Sequence, residues 1–273
     1  MNNIPDADYA FYHPQGAANG TTVFLLHGAF GSKEYWHYQV GALVRAGYRV
    51  ITWDAPGYGN SAMPDGFSID LCAQTLARLL AQLGGERNVV LGHSMGGMIA
   101  QRAWLHCPER IHGYILSATG PAFGRPDGEW QQAFIRDRVA PLDQGQTVPQ
   151  YAPGMLRAMM APGASGAAVD MMIGNVARMT AETFRAAIQA ITTFEGRAVL
   201  PTINVPVFCL AGELDATAPQ ESMRKMASKI PQAEFDAIAG AGHFAFVEQT
   251  DVFNQRILGF LDRHGYGRAS ESQ

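Results

Sequence analysis

Short apolar runs alternate along the chain with stretches that repeat apolar residues at helical spacing. Such alternation predicts an α/β fold, in which a mostly parallel sheet is covered by helices on both faces. Strands are expected at 23–26, 48–53, 89–91, 111–116, 207–210 and 234–238, and helices at 36–46, 69–83, 95–107, 219–229 and 252–263. Ligands of such sheets bind beyond the carboxyl ends of the strands, so the residues at those ends are the first candidates for function.

Residues 121–197 break this alternation because they contain no convincing strand pattern. They hold six of the twelve methionines, together with six prolines. We expect a helical cap, inserted before the penultimate strand, whose methionine-rich helices provide an adaptable lining for a ligand cavity. An ordinary run of surface helices would give the same pattern. The predicted division is a core of residues 1–120 and 198–273 and a cap of residues 121–197.

The segment Gly92-His93-Ser94-Met95-Gly96 lies between a buried apolar run and a helical stretch. It matches G-x-S-x-G, in which a sharp strand-to-helix turn exposes a serine hydroxyl as a nucleophile. Two glycines around a serine also occur in plain turns, so the motif depends on this setting. The setting favours Ser94 as a catalytic nucleophile.

A serine nucleophile needs an adjacent base that is held by a third group. Among the eight histidines, His243 is the expected base because it follows the last predicted strand in a glycine-rich loop. The acid is expected after the preceding strand, where Glu213 and Asp215 both occur. We favour Asp215, which lies deeper in the loop and gives the order Ser, Asp, His along the chain.

Acyl transfer also needs hydrogen-bond donors for the oxyanion that forms in the transition state. The backbone N–H of Met95, directly after the nucleophile, is one expected donor. The second is expected in the glycine-containing loop after the first predicted strand, where we favour the N–H of Ala29 and place Phe30 second. His27, at the start of this loop, is expected to be structural.

These features resemble the α/β-hydrolase fold family over nearly the whole chain outside 121–197. The motifs that carry the resemblance are His27-Gly28, the turn at Ser94, Asp54-Ala55-Pro56-Gly57-Tyr58-Gly59-Asn60-Ser61, Gly212-Glu213-Leu214-Asp215 and Gly242-His243. The resemblance implies that Asp54 belongs to a structural turn, and that residues 121–197 are the variable cap in which substrate choice resides. The members most similar to this chain are small bacterial esterases, cofactor-free perhydrolases, and the enol-lactonases and carbon–carbon bond hydrolases of aromatic catabolism.

The residues therefore predict a serine hydrolase that cleaves a small carboxylic ester or lactone through a covalent acyl-enzyme. Serine at position 94 argues against the dehalogenases and epoxide hydrolases of this fold, which carry aspartate there. The segment Ala29-Phe30-Gly31-Ser32 and His93 depart from the pattern of the ring-cleavage hydrolases, so a carbon–carbon hydrolase or enol-lactonase is the alternative. A perhydrolase and a non-catalytic ligand-binding relative are further alternatives, since a fold does not determine its function.

The cap offers two kinds of side chain for substrate binding. Apolar side chains would line a cavity, whereas arginines would bind the carboxylate of an anionic lactone. Both kinds more often form ordinary core or a solvated surface. The expected substrate-binding residues are Trp130, Phe134, Met155, Met159, Arg157, Arg178 and Arg185.

Composition excludes several other classes of function. The formal net charge of −4 gives no basic field for nucleic acid, and no apolar run is long enough to span a membrane. Three scattered cysteines and a first hexapeptide without a secretory pattern favour a cytoplasmic protein. No spacing typical of a metal site is present, and neither a metal nor an organic cofactor is expected. The sequence leaves the oligomeric state open.

Overall fold

The computed structural model describes residues 7–14, 16–124 and 127–267. Seven strands form one sheet in the order β1-β3-β2-β4-β5-β6-β7. They are β1 (Asp8–Tyr12), β2 (Thr21–Leu26), β3 (Arg49–Asp54), β4 (Arg87–His93), β5 (Gly113–Ser117), β6 (Val207–Gly212) and β7 (Ala233–Ile238). All six predicted strands are present, and they pair in parallel. The hexapeptide on which no secretory signal was expected lies outside the described residues.

Strand β1 is the element that the sequence pattern did not predict. It pairs antiparallel with β3 at the edge of the sheet, with Asp8 opposite Asp54 and Tyr12 opposite Val50. All five of its residues are only partly buried. A strand that is half-solvated on both faces has no clear alternation of apolar and polar residues, so periodicity does not reveal it.

Helices connect the strands and cover the sheet on both faces, as expected. Within the described residues they are α1 (His37–Arg45), α2 (Ile69–Leu83), α3 (Met95–Ala103), α4 (Glu129–Asp143), α5 (Val148–Met159), α6 (Ala167–Gly174), α7 (Ala181–Thr192), α8 (Gln220–Ala227), α9 (Ala245–Glu248) and α10 (Thr250–Arg263). Helix α2 packs on α3, and α1 packs on α10. Helix α3 ends at Ala103, four residues before the predicted end at 107.

Helices α4 to α7 occupy the chain between β5 and β6. The described part of 121–197 contains no strand, and its one β-bridge joins Ala122 to Glu195 at the two ends of the segment. This bridge brings the segment's entry and exit together, as expected for an insertion. Helix α4 contacts α7, and α5 contacts α6. The treatment of the segment as a separate cap stays a prediction.

The buried centre of the sheet consists of β2, β4, β5 and β6. Every residue of β2, β5 and β6 is buried, which is typical of parallel strands covered on both faces. Large aromatic side chains such as Trp36, Trp53 and Tyr114 fill the space between sheet and helices. Among the described residues, no helix combines the length and the hydropathy that a membrane crossing requires.

Candidate active site

Ser94 lies at the turn between β4 and α3. Its backbone angles, φ 53° and ψ −116°, fall in a region that non-glycine residues rarely occupy. Among the described non-glycine residues, only Ser94 and Ala118 have a positive φ, and both line the same cavity. Such strain persists only where the surrounding structure holds it, and it clusters at functional sites.

Close backbone packing explains the glycines on either side of Ser94. A Cβ atom added at Gly92 would lie 2.4 Å from the carbonyl oxygen of Gly96, and one added at Gly96 would lie 2.3 Å from that of Leu26. Real Cβ atoms do not approach backbone oxygens so closely. The two glycines therefore allow α3 to start directly above the ends of β2 and β4.

His243 and Asp215 form a buried pair at the ends of the neighbouring strands. The His243 Nδ1 lies 2.8 Å from Asp215 Oδ2, and the two residues are 2% and 4% exposed. Since Nδ1 donates to the carboxylate, Nε2 is the ring nitrogen left to accept a proton. Ser94 and His243 line the same cavity. Among the described residues, neither Ser94 Oγ nor His243 Nε2 has a hydrogen-bond partner.

Local contacts keep the carboxylate of Asp215 ionised. Burial by itself would raise its pKa, but His243 and the backbone N–H groups of Thr217 and Ala218 outweigh burial and leave the pKa below its ordinary value. The alternative acid, Glu213, is exposed and accepts a hydrogen bond from the N–H of Gly240 (2.9 Å). The structure thus places Asp215, rather than Glu213, against His243.

Glu248 at the end of α9 ties the His243 loop to the chain that follows α5. Its carboxylate accepts hydrogen bonds from three backbone N–H groups on both sides of this junction. The three donors belong to Ala161 (2.7 Å), Gly242 (2.9 Å) and Phe244 (2.9 Å). The N–H of His243 itself donates to the carbonyl oxygen of Met159 (2.9 Å). The position of His243 therefore depends on the segment between β5 and β6.

His93, which precedes the serine, holds the His243 loop through a hydrogen bond to its backbone. Burial, together with the nearby His243, lowers the pKa of His93 to about 3, so the ring is neutral. Its Nε2 donates to the carbonyl oxygen of His243 (2.8 Å), and its Nδ1 accepts from the hydroxyl of Tyr35 (2.7 Å). Burial raises the pKa of Tyr35 well above its ordinary value, which keeps that hydroxyl protonated. Sequence reasoning missed this support, because nothing in the motif indicates what His93 contacts.

The loop after β2 brings unused N–H groups beside Ser94. A Cβ atom added at Gly28 would lie 3.3 Å from Ser94 Cβ, and Ala29 and Phe30 line the cavity. In the part of the chain that the structure describes, the N–H groups of Ala29, Phe30 and Met95 have no acceptor. These are the three N–H groups that were expected from the sequence to donate hydrogen bonds to the oxyanion.

His27 holds the conformation of the same loop. Its Nδ1 donates to the carbonyl oxygen of Gly28 (2.8 Å), and its Nε2 accepts from the N–H of Ala55 (3.0 Å). The side chain is fully buried. With both ring nitrogens used by backbone groups, His27 is structural, as expected.

The cavity above Ser94 has a volume of about 350 Å³ and walls that are mostly apolar. Three of the predicted binding residues line it: Trp130, Phe134 and Met159. Met155 does not, because α5 reaches the cavity only with its last residue, and Met155 instead packs against the core. Sequence reasoning missed further lining residues, Phe123, Arg138, Ile188 and Ile191 among them.

The three predicted arginines lie outside this cavity, so the expectation that they contact substrate there is wrong. Arg157 lies 3.7 Å from Asp170, and Arg185 lies 2.6 Å from Asp143, both on exposed surface. Arg178 is exposed beside a second, smaller cavity. Long charged side chains on the outward faces of surface helices stay in water, where they form weak ion pairs.

Among the described residues, no group of three or more histidine, cysteine, aspartate or glutamate side chains could hold a metal ion.

Comparison with known proteins assigns the family. The model of the Alpha/beta hydrolase family matches residues 23–256. The chain belongs to this family. It is a hydrolase of the α/β type, and the family expected from the sequence motifs is confirmed.

The similar proteins carry different named activities. A relative from Azorhizobium caulinodans that bears the provisional name carbamate hydrolase RutD is 30% identical over 93% of this chain and 95% of its own length. A 2-hydroxy-6-oxononadienedioate/2-hydroxy-6-oxononatrienedioate hydrolase from Pseudomonas is 28% identical over 92% of each chain. A thermophilic esterase from Thermogutta terrifontis, solved with malate bound, is 27% identical with a TM-score of 0.79 and covers 94% of each chain.

Proposed function

We propose that this hydrolase cleaves a small carboxylic ester or lactone through a covalent acyl-enzyme formed on Ser94. The observation that carries the proposal is the buried pair of His243 and Asp215, whose histidine lines the same cavity as the strained Ser94. A nucleophile, a base and an orienting acid in this relation are the parts that serine acyl transfer requires.

Acylation begins with the substrate carbonyl above Ser94 and its oxygen at the N–H groups of Met95 and Ala29. His243 Nε2 removes the Ser94 hydroxyl proton as Oγ attacks the carbonyl carbon, and Asp215 holds the imidazole in the correct tautomer. The tetrahedral intermediate places its negative charge on the oxygen, where the two N–H groups and the start of α3 stabilise it. The protonated His243 then gives its proton to the leaving alcohol, and the acyl group stays on Ser94.

Deacylation repeats these steps with water as the nucleophile. His243 removes a proton from the water, which attacks the ester carbonyl, and the collapse of the second intermediate returns the proton to Ser94. The product is the carboxylic acid. The Phe30 N–H is the second choice for the loop donor, because Phe30 also lines the cavity and its N–H has no acceptor among the described residues.

A carbon–carbon hydrolase or enol-lactonase is the second candidate, supported by the similarity to the Pseudomonas hydrolase. The same nucleophile, base and oxyanion donors would serve it. Arg157, Arg178 and Arg185, which were expected to bind an anionic lactone, do not line the cavity. The ester is the first choice because Ala29-Phe30-Gly31-Ser32 and His93 depart from the pattern of the ring-cleavage hydrolases.

The test compares hydrolysis of a short series of p-nitrophenyl esters, an enol-lactone and a vinylogous 1,5-diketone by the wild type, Ser94→Ala and Ser222→Ala. Ser222 is a second hydroxyl in the same cavity and serves as the matched control. We expect Ser94→Ala to lower kcat by about 10³- to 10⁶-fold. Ser222→Ala removes a cavity hydroxyl that has no part in the proposed steps, so its kcat should stay within the order of magnitude of the wild type. Near wild-type turnover by Ser94→Ala would refute the mechanism, and a strong preference for the lactone or the diketone would select the second candidate.

A further inference from the structure

One face of α4 points three large side chains into the cavity. Trp130, Phe134 and Arg138 are spaced by four residues, which places them above one another on a helix, and all three line the cavity. Phe123 packs against Trp130 and Phe134, with ring centroids 5.1 and 4.5 Å away. The face is therefore an aromatic surface that ends in a guanidinium group.

Arg138 is the one permanently charged side chain among the described lining residues of the cavity. No aspartate, glutamate or lysine occurs among these described lining residues. Its guanidinium carbon lies 3.3 Å from the centroid of the Phe134 ring, which is a cation–π contact. Partial burial lowers the pKa of Arg138 to about 10, so the group stays charged at neutral pH.

No carboxylate within the described residues lies within ion-pair distance of this guanidinium. By contrast, two other arginines of the same segment have partners: Arg157 pairs with Asp170 and Arg185 with Asp143. The neighbouring carboxylate of Asp137 acts to raise the pKa of Arg138, but the Asp137 side chain is 69% exposed and lies beyond ion-pair distance. A half-buried cation attracts an anion more strongly than a solvated one. The guanidinium also offers a fork of donors that matches a carboxylate.

On this basis we propose that Arg138 determines substrate specificity by binding a carboxylate at the end of the substrate chain remote from the scissile carbonyl. The substrate class is then an ester with a short apolar chain that ends in a carboxylate, carried on either the acyl or the alcohol part. This inference rests on the proposed ester hydrolysis. Arg138 thereby takes the carboxylate-binding role that was expected from the sequence for Arg157, Arg178 and Arg185.

The test uses substrate pairs that differ only in charge. Monomethyl adipate is compared with the methyl ester of adipic acid monoamide, and 4-acetoxybutanoate with 4-acetoxybutanamide, so the carboxylate is tried on both parts of the ester. For at least one pair, the wild type is expected to prefer the carboxylate over the amide in kcat/KM by about 10- to 100-fold, the range for a charge-assisted hydrogen-bonded contact. The pair that responds identifies the part of the ester that carries the carboxylate.

Arg138→Gln is expected to reduce this preference to about one, and Arg138→Lys to an intermediate value because it keeps the charge but loses the fork. Arg136→Gln is the matched control, since Arg136 lies on the same helix but is 70% exposed in its side chain, and its preference should equal that of the wild type. Wild-type enzyme that does not discriminate either pair, or an Arg138→Gln variant that keeps the preference, would overturn the inference.

Equilibrium binding of adipate to Ser94→Ala protein gives a readout without turnover. Calorimetry is expected to show binding that the additional change Arg138→Gln weakens by about tenfold or more, while Arg136→Gln leaves it unchanged. If adipate binds in this way but Ser94→Ala still hydrolyses esters, the proposed mechanism fails and the carboxylate site stands. If adipate affinity does not depend on Arg138, the carboxylate site fails whatever Ser94 does.

Discussion

Glu248→Gln removes one negative charge from the junction between the His243 loop and the chain after α5, with almost no change in size. The glutamine oxygen can still accept from Ala161 and Gly242, but these two hydrogen bonds lose their charge assistance, at about 1 kcal/mol each. Its amide group then faces the N–H of Phe244, which loses its acceptor at a cost of about 1–2 kcal/mol. Because Glu248 is only partly buried, water recovers part of this loss. We expect a net destabilisation of about 2–3 kcal/mol.

The assay combines thermal unfolding with ester hydrolysis. A loss of this size should lower Tm by about 4–8 °C in a chain of this length. Displacement of the His243 loop should also lower kcat by about tenfold, since catalysis is sensitive to small shifts in position. Glu221→Gln, on the exposed surface of α8, is the control and should change neither quantity. A Glu248→Gln variant with wild-type Tm and wild-type kcat would refute the role assigned to this carboxylate.

Three further predictions concern the same site. Asp215→Asn should lower kcat by about 10³- to 10⁴-fold with little change in KM, because an amide cannot hold His243 in the required tautomer; steady-state kinetics with less than a tenfold loss would rule this role out. Since burial lowers the pKa of His93 to about 3, the unfolded chain alone binds this proton below its ordinary pKa of 6.5, so stability should fall as the pH drops from about 6.5 towards 3. Thermal unfolding between pH 7.5 and 4 checks this, and an equally steep fall in His93→Gln would exclude His93 as a cause. Gly96→Ala should abolish soluble folding or lower Tm by several degrees, whereas Gly154→Ala, in open space on α5, should be neutral or slightly stabilising; equal Tm values for the two variants in a melting assay would contradict the packing argument.

Much of the fold could be predicted from the sequence because the inner strands are covered on both faces. Each buried strand is a short apolar run, and several end in glycine-containing segments that bear functional residues, as at Gly28 and Gly92. Strand β1 could not be predicted, since a half-solvated edge strand has no such pattern. The buried pair of Asp215 and His243 followed from the rule that ligands bind beyond strand ends.

The contacts that support and line the site could not be predicted in the same way. Glu248 accepts from backbone groups that are six and 87 residues away in sequence, and only the folded chain brings them together. The choice among arginines depended on which helix face meets the cavity. The four-residue spacing of Trp130, Phe134 and Arg138 was present in the sequence, but the direction of that face is set by tertiary packing.

The central claim, that Ser94 becomes covalently acylated, is tested most directly by mass spectrometry after reaction with a fluorophosphonate probe. The intact protein should gain one probe mass, and peptide mapping should place it on Ser94, with no adduct on Ser94→Ala and an undiminished adduct on Ser222→Ala. Protein that stays unlabelled, or an adduct that maps to Ser222 or another residue, would contradict the account.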